Sequence, residues 1–366
     1  MHKDAISLLK RLIATPSVSR DEAAAADIVE SYFLNAGVTQ LRYANNVVAV
    51  NDGYDASRPT LLLNAHLDTV KPSPNYTFNP YEPVEKEGCI MGLGSNDDGG
   101  SLVSLITVFL KLRMAQLPFN LIMAASAEEE VGGENGMRRL LPSLKTDGYS
   151  IDMAIVGEPT GMQPAIAERG LIVLDCLTKG KTGHAAREEG INAISRAIED
   201  IRTLTDYKFP IVSDILGPVK ISVTQIQAGR QHNVIPDECR WVVDVRTTDA
   251  YSNEETARML QQAVSQHTIA QPRSTRVHAS IIDSTHPLVK AAVKIGGTPF
   301  VSPTTSDMSL MYDFPSLKIG PGESSRSHSA DEFIRISEIE HAITKYTDLI
   351  LNLAEILGNH TIEESI

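Results

Sequence analysis

The pattern of apolar and polar residues near the N-terminus predicts two helices. Apolar residues recur at helical spacing over residues 6–13, and the Thr15-Pro16 pair is expected to end that helix. Ser19 and Glu22 have the spacing of a capping box. We therefore expect a second, alanine-rich helix to begin after them and to end near Gly37.

Short apolar segments of strand length follow. They cover residues 47–50, 60–63, 121–125 and 153–156. A helix is predicted between the second and the third, over about 101–114, and the tail from Pro287 ends in a helix over about 337–357. Strands separated by helices in this way are typical of an α/β domain with a largely parallel sheet.

The middle of the chain has a different order of elements. We predict a strand over 171–178, a helix over 191–204, strands over 219–227 and 239–246, a helix from the capping box of Ser252 and Glu255 to about 267, and a strand over 276–282. The order β-α-β-β-α-β is that of the split-βαβ sandwich.

A chain of 366 residues has room for two domains at about 150 residues each. We predict an α/β domain with a mixed, mostly parallel sheet, formed by residues 1–166 and 280–366. Residues 167–279 are predicted to form an inserted α+β domain of the ferredoxin-like βαββαβ type.

Composition and charge exclude several classes of partner. The chain has 33 Lys and Arg against 46 Asp and Glu, a formal net charge of −13, which argues against nucleic acid and a polyanionic membrane surface. No apolar run approaches the roughly 18 residues that span a bilayer. The three cysteines lack a Cys-x-x-Cys motif, which fits a cytoplasmic location and offers no thiolate zinc site. Oxygen and imidazole must therefore bind any metal.

Histidines and acidic residues follow the predicted strands, where an open α/β sheet places its ligand crevice. His66 and Asp68 come just after the second strand. In an extended chain these two side chains share a face, so Asp68 could orient the imidazole of His66. On its own, the pair is also compatible with a structural histidine.

Two acidic loops offer further candidates. The glycine-rich segment 92–100 contains Asp97 and Asp98 but lacks the Gly-Lys-Ser/Thr of a phosphate-binding loop. Glu129 and Glu130 end a run of three glutamates after the third strand, and the glycines beyond them permit close backbone approach. Each loop, taken singly, is also typical of a solvated surface.

The last candidates are Glu158, directly after the fourth strand, and His328, at the end of a loop that follows a short strand near Leu317. Two histidines and several carboxylates at four or five strand ends form a ligand set for two divalent metals with a bridging aspartate. A carboxylate beyond the ligands can serve as general base toward a metal-bound water.

These motifs, in this order over nearly the whole chain, resemble the M20 zinc aminoacylase/peptidase family, which includes acetylornithine deacetylase and succinyl-diaminopimelate desuccinylase. The resemblance implies a catalytic α/β domain, an inserted dimerisation (lid) domain, a homodimer, and two Zn²⁺ ions for which Co²⁺ is a possible substitute. The implied metal ligands are two histidines and three carboxylates: His66, Asp97, Glu130, Glu158 and His328.

Within that ligand set the resemblance assigns roles. Asp97 would bridge the ions, with His66 and Glu158 completing one site and Glu130 and His328 the other. Asp68 would support His66, and Glu129 would be the general base. The loop around Asp97 is one residue shorter than the family pattern and has no lysine, so Asp98 stays open as an alternative bridge.

The resemblance also assigns residues of the inserted domain. His184, in the segment Thr182-Gly-His-Ala-Ala, matches the family histidine that reaches the partner subunit's active site. Asn233, within residues 229–236, and Arg246, in Asp244-Val-Arg, match the elements that bind a substrate carboxylate. A guanidinium is suited to that role because it can fork onto a carboxylate.

The expected function is therefore hydrolysis of the amide bond of an N-acyl amino acid. N-acetylornithine or its N-succinyl analogue, in arginine biosynthesis, is the leading substrate. Within the family, a succinyl-diaminopimelate desuccinylase of lysine biosynthesis and a dipeptidase or carboxypeptidase stay open. A binding protein without catalysis and a dimetal phosphohydrolase are the alternatives from other classes. The intact Glu129 and ligand set argue against the first, and the Asn233 and Arg246 elements argue against the second.

Overall fold

The computed structural model describes residues 2–363, and the chain divides into two compact units. The first unit comprises Met1–Ile166, Ile281–Ser302 and Ser306–Ile366, and the second comprises Ala167–Ser280 and Pro303–Thr305. Residue 280 and the short stretch 303–305, which we assigned to the α/β domain, thus lie in the second unit.

Helices are numbered in chain order. They are α1 His2–Ile13, α2 Ala23–Asn35, α3 Gly100–Leu112, α4 Met137–Thr146, α5 Ala193–Thr205, α6 Asn253–Ala263, α7 Pro287–Lys294 and α8 Ile336–Glu363. Among residues 2–363, none of these helices has both the length and the apolar character needed to cross a membrane.

Strands are numbered in the same way. They are β1 Gln40–Tyr43, β2 Asn46–Val50, β3 Thr60–His66, β4 Val84–Lys86, β5 Cys89–Met91, β6 Asn120–Ser126, β7 Met153–Val156, β8 Ala165–Glu168, β9 Gly170–Lys179, β10 Gly183–His184, β11 Lys220–Ala228, β12 Val234–Ile235, β13 Glu238–Thr247, β14 Thr268–Pro272, β15 Ser280–Ile281, β16 Phe300–Ser302, β17 Ser316–Lys318 and β18 Phe333–Arg335.

The first unit is built on a nine-stranded sheet of order β1-β2-β6-β3-β7-β17-β8-β15, with β16 also pairing with β8. The four neighbouring strands β6, β3, β7 and β17 run parallel, whereas β1, β2 and β8 add antiparallel pairs. The predicted α/β class with a mixed, mostly parallel sheet is confirmed.

Burial on both faces explains why the parallel strands read as continuous apolar runs. Every residue of β3, β6 and β7 is buried. One face packs against helices α1, α2, α3 and α8, where Phe33 and Phe109 meet edge to face with their ring centroids 6.0 Å apart. The other face packs against α4 and Met308.

The second unit has a four-stranded antiparallel sheet of order β11-β13-β9-β14. With helices α5 and α6 it forms the predicted βαββαβ arrangement. Alternate residues of β13 are buried, among them Trp241, whose indole Nε1 donates a hydrogen bond to Thr178 Oγ1 at 3.0 Å.

The prediction of a last strand over residues 276–282 is wrong. The observed last strand of this unit is β14. In β14, Thr268 and Ala270 are buried, Ile269 is exposed, and Thr268 pairs with Thr178 of β9. Residues 280–281, which we placed in the same strand, join the large sheet as β15 instead. Helix α6 correspondingly ends at residue 263 rather than near 267.

One of the two predicted capping boxes is present. Ser252 and Glu255 cap α6 reciprocally. Ser19 and Glu22 do not act as a box, because both bind groups far away in sequence. The Ser19 hydroxyl donates to Asp68 Oδ2 at 2.7 Å, and the Glu22 carboxylate accepts the Glu128 N–H at 3.0 Å.

Candidate metal centre

The candidate side chains meet at the carboxyl edge of the central parallel strands. His66 is the last residue of β3, Glu129 and Glu130 follow β6, and Glu158 follows β7. Asp97 lies in the turn Ser95–Gly99 that leads into α3, and His328 lies in the loop beyond β17. All belong to the first unit.

Asp97 lies between the two histidines. Its Oδ1 is 3.0 Å from His66 Nε2, and its Oδ2 is 3.6 Å from His328 Nε2. The His328 Nε2 is also 2.9 Å from Glu130 Oε2. A carboxylate with one oxygen turned to each histidine has the arrangement that a bridging ligand needs.

The remaining predicted ligand joins the same cluster. Ligand atoms of His66, Asp97 and Glu130 lie within 4.8 Å of one another, and those of His66, Glu129 and Glu158 do so as well. The structure thus brings together the five residues predicted as ligands and the predicted base. Glu129 stands beside Glu158 rather than apart from the ligands.

Geometry favours Asp97 over Asp98 as the bridge. Asp98 is buried in the same turn, and burial raises the pKa of its carboxyl to about 8. Asp97 is the better-placed ligand, because its two carboxylate oxygens face His66 and His328, and the contact with His66 lowers its pKa in spite of burial.

Asp68 holds both His66 and the loop that follows β6. The Nδ1 of His66 is 2.9 Å from the main-chain oxygen of Asp68 and 3.6 Å from its Oδ1. The carboxylate accepts the backbone N–H of Glu129 at 3.0 Å and that of Glu130 at 3.2 Å. Through its main-chain oxygen and its buried carboxylate, Asp68 therefore fixes one histidine and two glutamates.

The charges of the cluster fit a divalent cation. Burial, together with the charges of Glu158 and Asp307, raises the pKa of Glu129 well above its ordinary value. Burial and the charge of Asp97 do the same for the pKa of Glu158. Oxygen and imidazole donors that repel one another in this way are the donor set of zinc and related ions, which relieve the repulsion.

Sequence reasoning missed two buried carboxylates that hold the centre from behind. Asp307 accepts hydrogen bonds from Asn64 Nδ2 at 2.8 Å and from Ser126 Oγ at 2.7 Å, and burial raises its pKa to about 6. Glu332 accepts backbone N–H groups of the Asp97 turn, and burial raises its pKa to about 7. For Asp307 the sequence offered a weak signal, the polar residues Asn64 and Ser126 in otherwise apolar strands. For Glu332 we find none.

The three remaining candidates belong to the second unit. His184 is exposed in β10, and its Nδ1 accepts the Ala186 N–H at 3.1 Å. Asn233 is exposed. Arg246 makes a bidentate ion pair with Asp244, with hydrogen bonds of 2.8 and 3.1 Å, and this pair neutralises its charge. Their roles toward a substrate stay predictions.

The fold and the donor set together define a metal-dependent amidohydrolase. The sequence matches the family described as Peptidase family M20/M25/M40 over residues 62–352. The chain belongs to this family, as its motifs predicted.

Two relatives and one solved structure illustrate the similarity. Succinyl-diaminopimelate desuccinylase of Wolbachia pipientis wMel is 24% identical over 379 residues, covering 96% of this chain and 94% of the relative. Acetylornithine deacetylase of Proteus mirabilis (strain HI4320) is 26% identical over 366 residues, covering 92% and 93%. A dinuclear metal binding peptidase of the M20 family from Bacillus subtilis superposes with a TM-score of 0.74 at 17% identity, covering 97% of this chain and 98% of that one.

Replacing Asp68 by Asn tests how the centre is held. The amide would present an N–H₂ group to backbone N–H donors, so we expect metal affinity to fall about 10- to 100-fold. Calorimetric titration of the apo-protein with Zn²⁺ measures this. Asp52→Asn, which alters a surface pair with Arg113, is the matched control. Equal affinities in the two variants would contradict the assigned role.

Proposed function

We propose that this protein hydrolyses the amide bond of an N-acyl amino acid with the help of two divalent ions, Zn²⁺ in the first place and Co²⁺ as a possible substitute. The observation that carries the proposal is the position of Asp97 between His66 and His328, with Glu129 clustered beside His66 and Glu158. His66 and Glu158 would complete one ion site with Asp97. The second site would consist of Asp97, Glu130 and His328.

Bound ions would polarise the amide carbonyl and lower the pKa of a water molecule toward about 7. The protein supplies the proton transfer. Glu129 takes a proton from the attacking water and returns it to the nitrogen of the leaving amine, because one carboxylate can act first as base and then as acid. Asp68, through the Glu129 N–H, keeps the backbone of this base in place.

Two alternative substrates have comparable support from the relatives' names. The Proteus mirabilis relative, an acetylornithine deacetylase, supports N-acetylornithine and a place in arginine biosynthesis, and N-succinylornithine is included in the proposal as its analogue. The Wolbachia relative supports N-succinyl-diaminopimelate and a place in lysine biosynthesis. All are linear amides of an amino acid, so the proposed chemistry is the same. A cytoplasmic location belongs to the same proposal.

A substrate panel tests the proposal. N-acetylornithine, N-succinylornithine, N-succinyl-diaminopimelate and simple dipeptides would be assayed for release of the free amine, with Zn²⁺ or Co²⁺ added. We expect metal-dependent turnover of one of the acylated amino acids to exceed that of the dipeptides by at least about tenfold in kcat/KM. Preferential cleavage of dipeptides would favour the peptidase alternative, and no hydrolysis of any amide would contradict the proposal.

The variant Glu129→Gln tests whether Glu129 acts as the general base and not as a metal ligand. Because the variant removes only the proton acceptor, kcat should fall about 10²- to 10⁴-fold while two ions remain bound. The measurement pairs steady-state kinetics with metal analysis of the same sample. Glu134→Gln, in the same loop, is the control and should retain normal kcat. Near-normal turnover by Glu129→Gln would refute the assignment.

We also propose a homodimer in which His184 of one subunit donates to the oxyanion in the other subunit's site. The exposure of His184 leaves its ring available for such a contact.

Mixed dimers test this assignment. His184→Ala and Glu129→Ala chains are each expected to be inactive, but a hybrid would contain one site with both groups intact. Mixing the two variants after mild dissociation should therefore restore up to about a quarter of wild-type activity per chain, since half of the dimers are hybrids with one working site. Activity that does not recover in hybrids isolated with two affinity tags would exclude the role across the interface.

A further inference from the structure

Glu332 joins the two loops that carry Asp97 and His328. Its buried carboxylate accepts three backbone N–H groups of the Asp97 turn, those of Gly94 at 2.9 Å, Asn96 at 2.8 Å and Asp97 at 2.9 Å. Its main-chain oxygen accepts a fourth, from Gly92. Because Glu332 lies four residues after His328, this one residue ties the turn to the segment of the histidine.

Asn96 makes a second link between the same loops. Here the side chain belongs to the Asp97 turn and the backbone groups belong to the His328 loop. Its Oδ1 accepts the Glu323 N–H at 3.0 Å, and its Nδ2 donates to the Glu323 main-chain oxygen at 3.1 Å. Gly322, at φ 80°, permits this contact, since a Cβ there would lie 2.3 Å from Asn96 Oδ1. The two loops are thus bound on both sides of the Asp97–His328 pair.

The two proposed ion sites depend on these links to different degrees. His66 ends β3 and Glu158 follows β7, and these two strands pair directly in the sheet. His328 instead lies ten residues beyond the end of β17, with its side chain 55% exposed and its φ at 57°. A non-glycine residue holds such a φ only where its surroundings fix it.

We infer that Glu332 is a positioning residue for the second ion, the one assigned to Asp97, Glu130 and His328, and that it acts by holding the Asp97 turn against the His328 loop. The inference rests on the proposed two-ion function. It assigns Glu332 no contact with substrate. Loss of its carboxylate should weaken the second ion more than the first. The first ion depends on the turn only through Asp97 and keeps His66 and Glu158 at the ends of two paired strands, whereas the second needs both Asp97 and His328 in place.

Metal titration of Glu332→Gln tests the inference. Apo-protein would be titrated with Co²⁺ by calorimetry and visible absorption, with His328→Ala identifying the spectrum of the second site. We expect the second Co²⁺ to bind at least tenfold more weakly than in wild type, the scale typical of residues that orient metal ligands. The first Co²⁺, which shares Asp97 but keeps His66 and Glu158, should lose affinity by a clearly smaller factor. Asp331→Asn is the matched control, because its carboxylate binds Thr77 rather than the turn, and it should bind both ions normally.

Three results of this titration would count against the inference or against the function on which it rests. A Glu332→Gln chain that binds both ions as wild type does, or that loses both equally while its apo-form keeps the wild-type circular dichroism, overturns the inference. If that variant does not fold, Asn96→Ala, which removes the second link, must show the same selective weakening. A wild-type chain that binds one Co²⁺ or none would overturn the two-ion function itself, which is a different failure.

Discussion

The candidate metal centre depends on the burial of several mutually repelling carboxylates at the carboxyl edge of the central strands. Glu129 and Glu158 lie in one cluster with His66, and burial, together with the charges of neighbouring carboxylates, raises the pKa of both glutamates, which records the free-energy cost of placing them there. A divalent cation removes that cost when it binds. In its absence the surrounding structure has to hold the carboxylates in place.

Two sets of carboxylates meet this constraint. The inner set, which would face the cations, consists of Asp97, Glu129, Glu130 and Glu158. The outer set, which accepts hydrogen bonds from N–H and O–H groups of the protein, consists of Asp68, Asp307 and Glu332. Asp68 binds the loop after β6, Glu332 binds the turn before α3, and Asp307 binds Asn64 and Ser126 behind them. Asp97, Glu129 and Glu130 therefore lie on backbone whose N–H groups are bonded to a buried carboxylate, which organises these residues without an ion.

The strand ends could be predicted from the sequence because both faces of the parallel strands are buried. Such strands appear as short apolar runs, and a charged residue directly after one, such as Glu158, falls at the edge where ligands collect. The candidate histidines and carboxylates were accessible for the same reason. Their assignment as ligands and their grouping into two sites needed the family resemblance, since spacing along the chain does not give distances in space.

Long-range hydrogen bonds account for most of what the sequence could not reveal. Ser19 and Glu22 satisfy the local rule for a capping box, yet both bind residues more than forty positions away, and nothing in a local pattern separates the two uses. In the sequence, nothing distinguishes Glu332 from the other acidic residues that are expected in surface loops. In the second unit, β14 has only five residues and ends at Pro272, so its apolar pattern is too short to be distinguished from a loop.

The burial of Trp241 has a spectroscopic consequence. It is the chain's single tryptophan, and it lies in the core of the second unit with its indole N–H bonded to Thr178. Tryptophan emission is therefore an intrinsic reporter on the inserted unit alone, whereas far-ultraviolet dichroism averages over both. Comparing the two signals during denaturation would reveal whether the units melt together or in succession, without attaching any dye to the molecule.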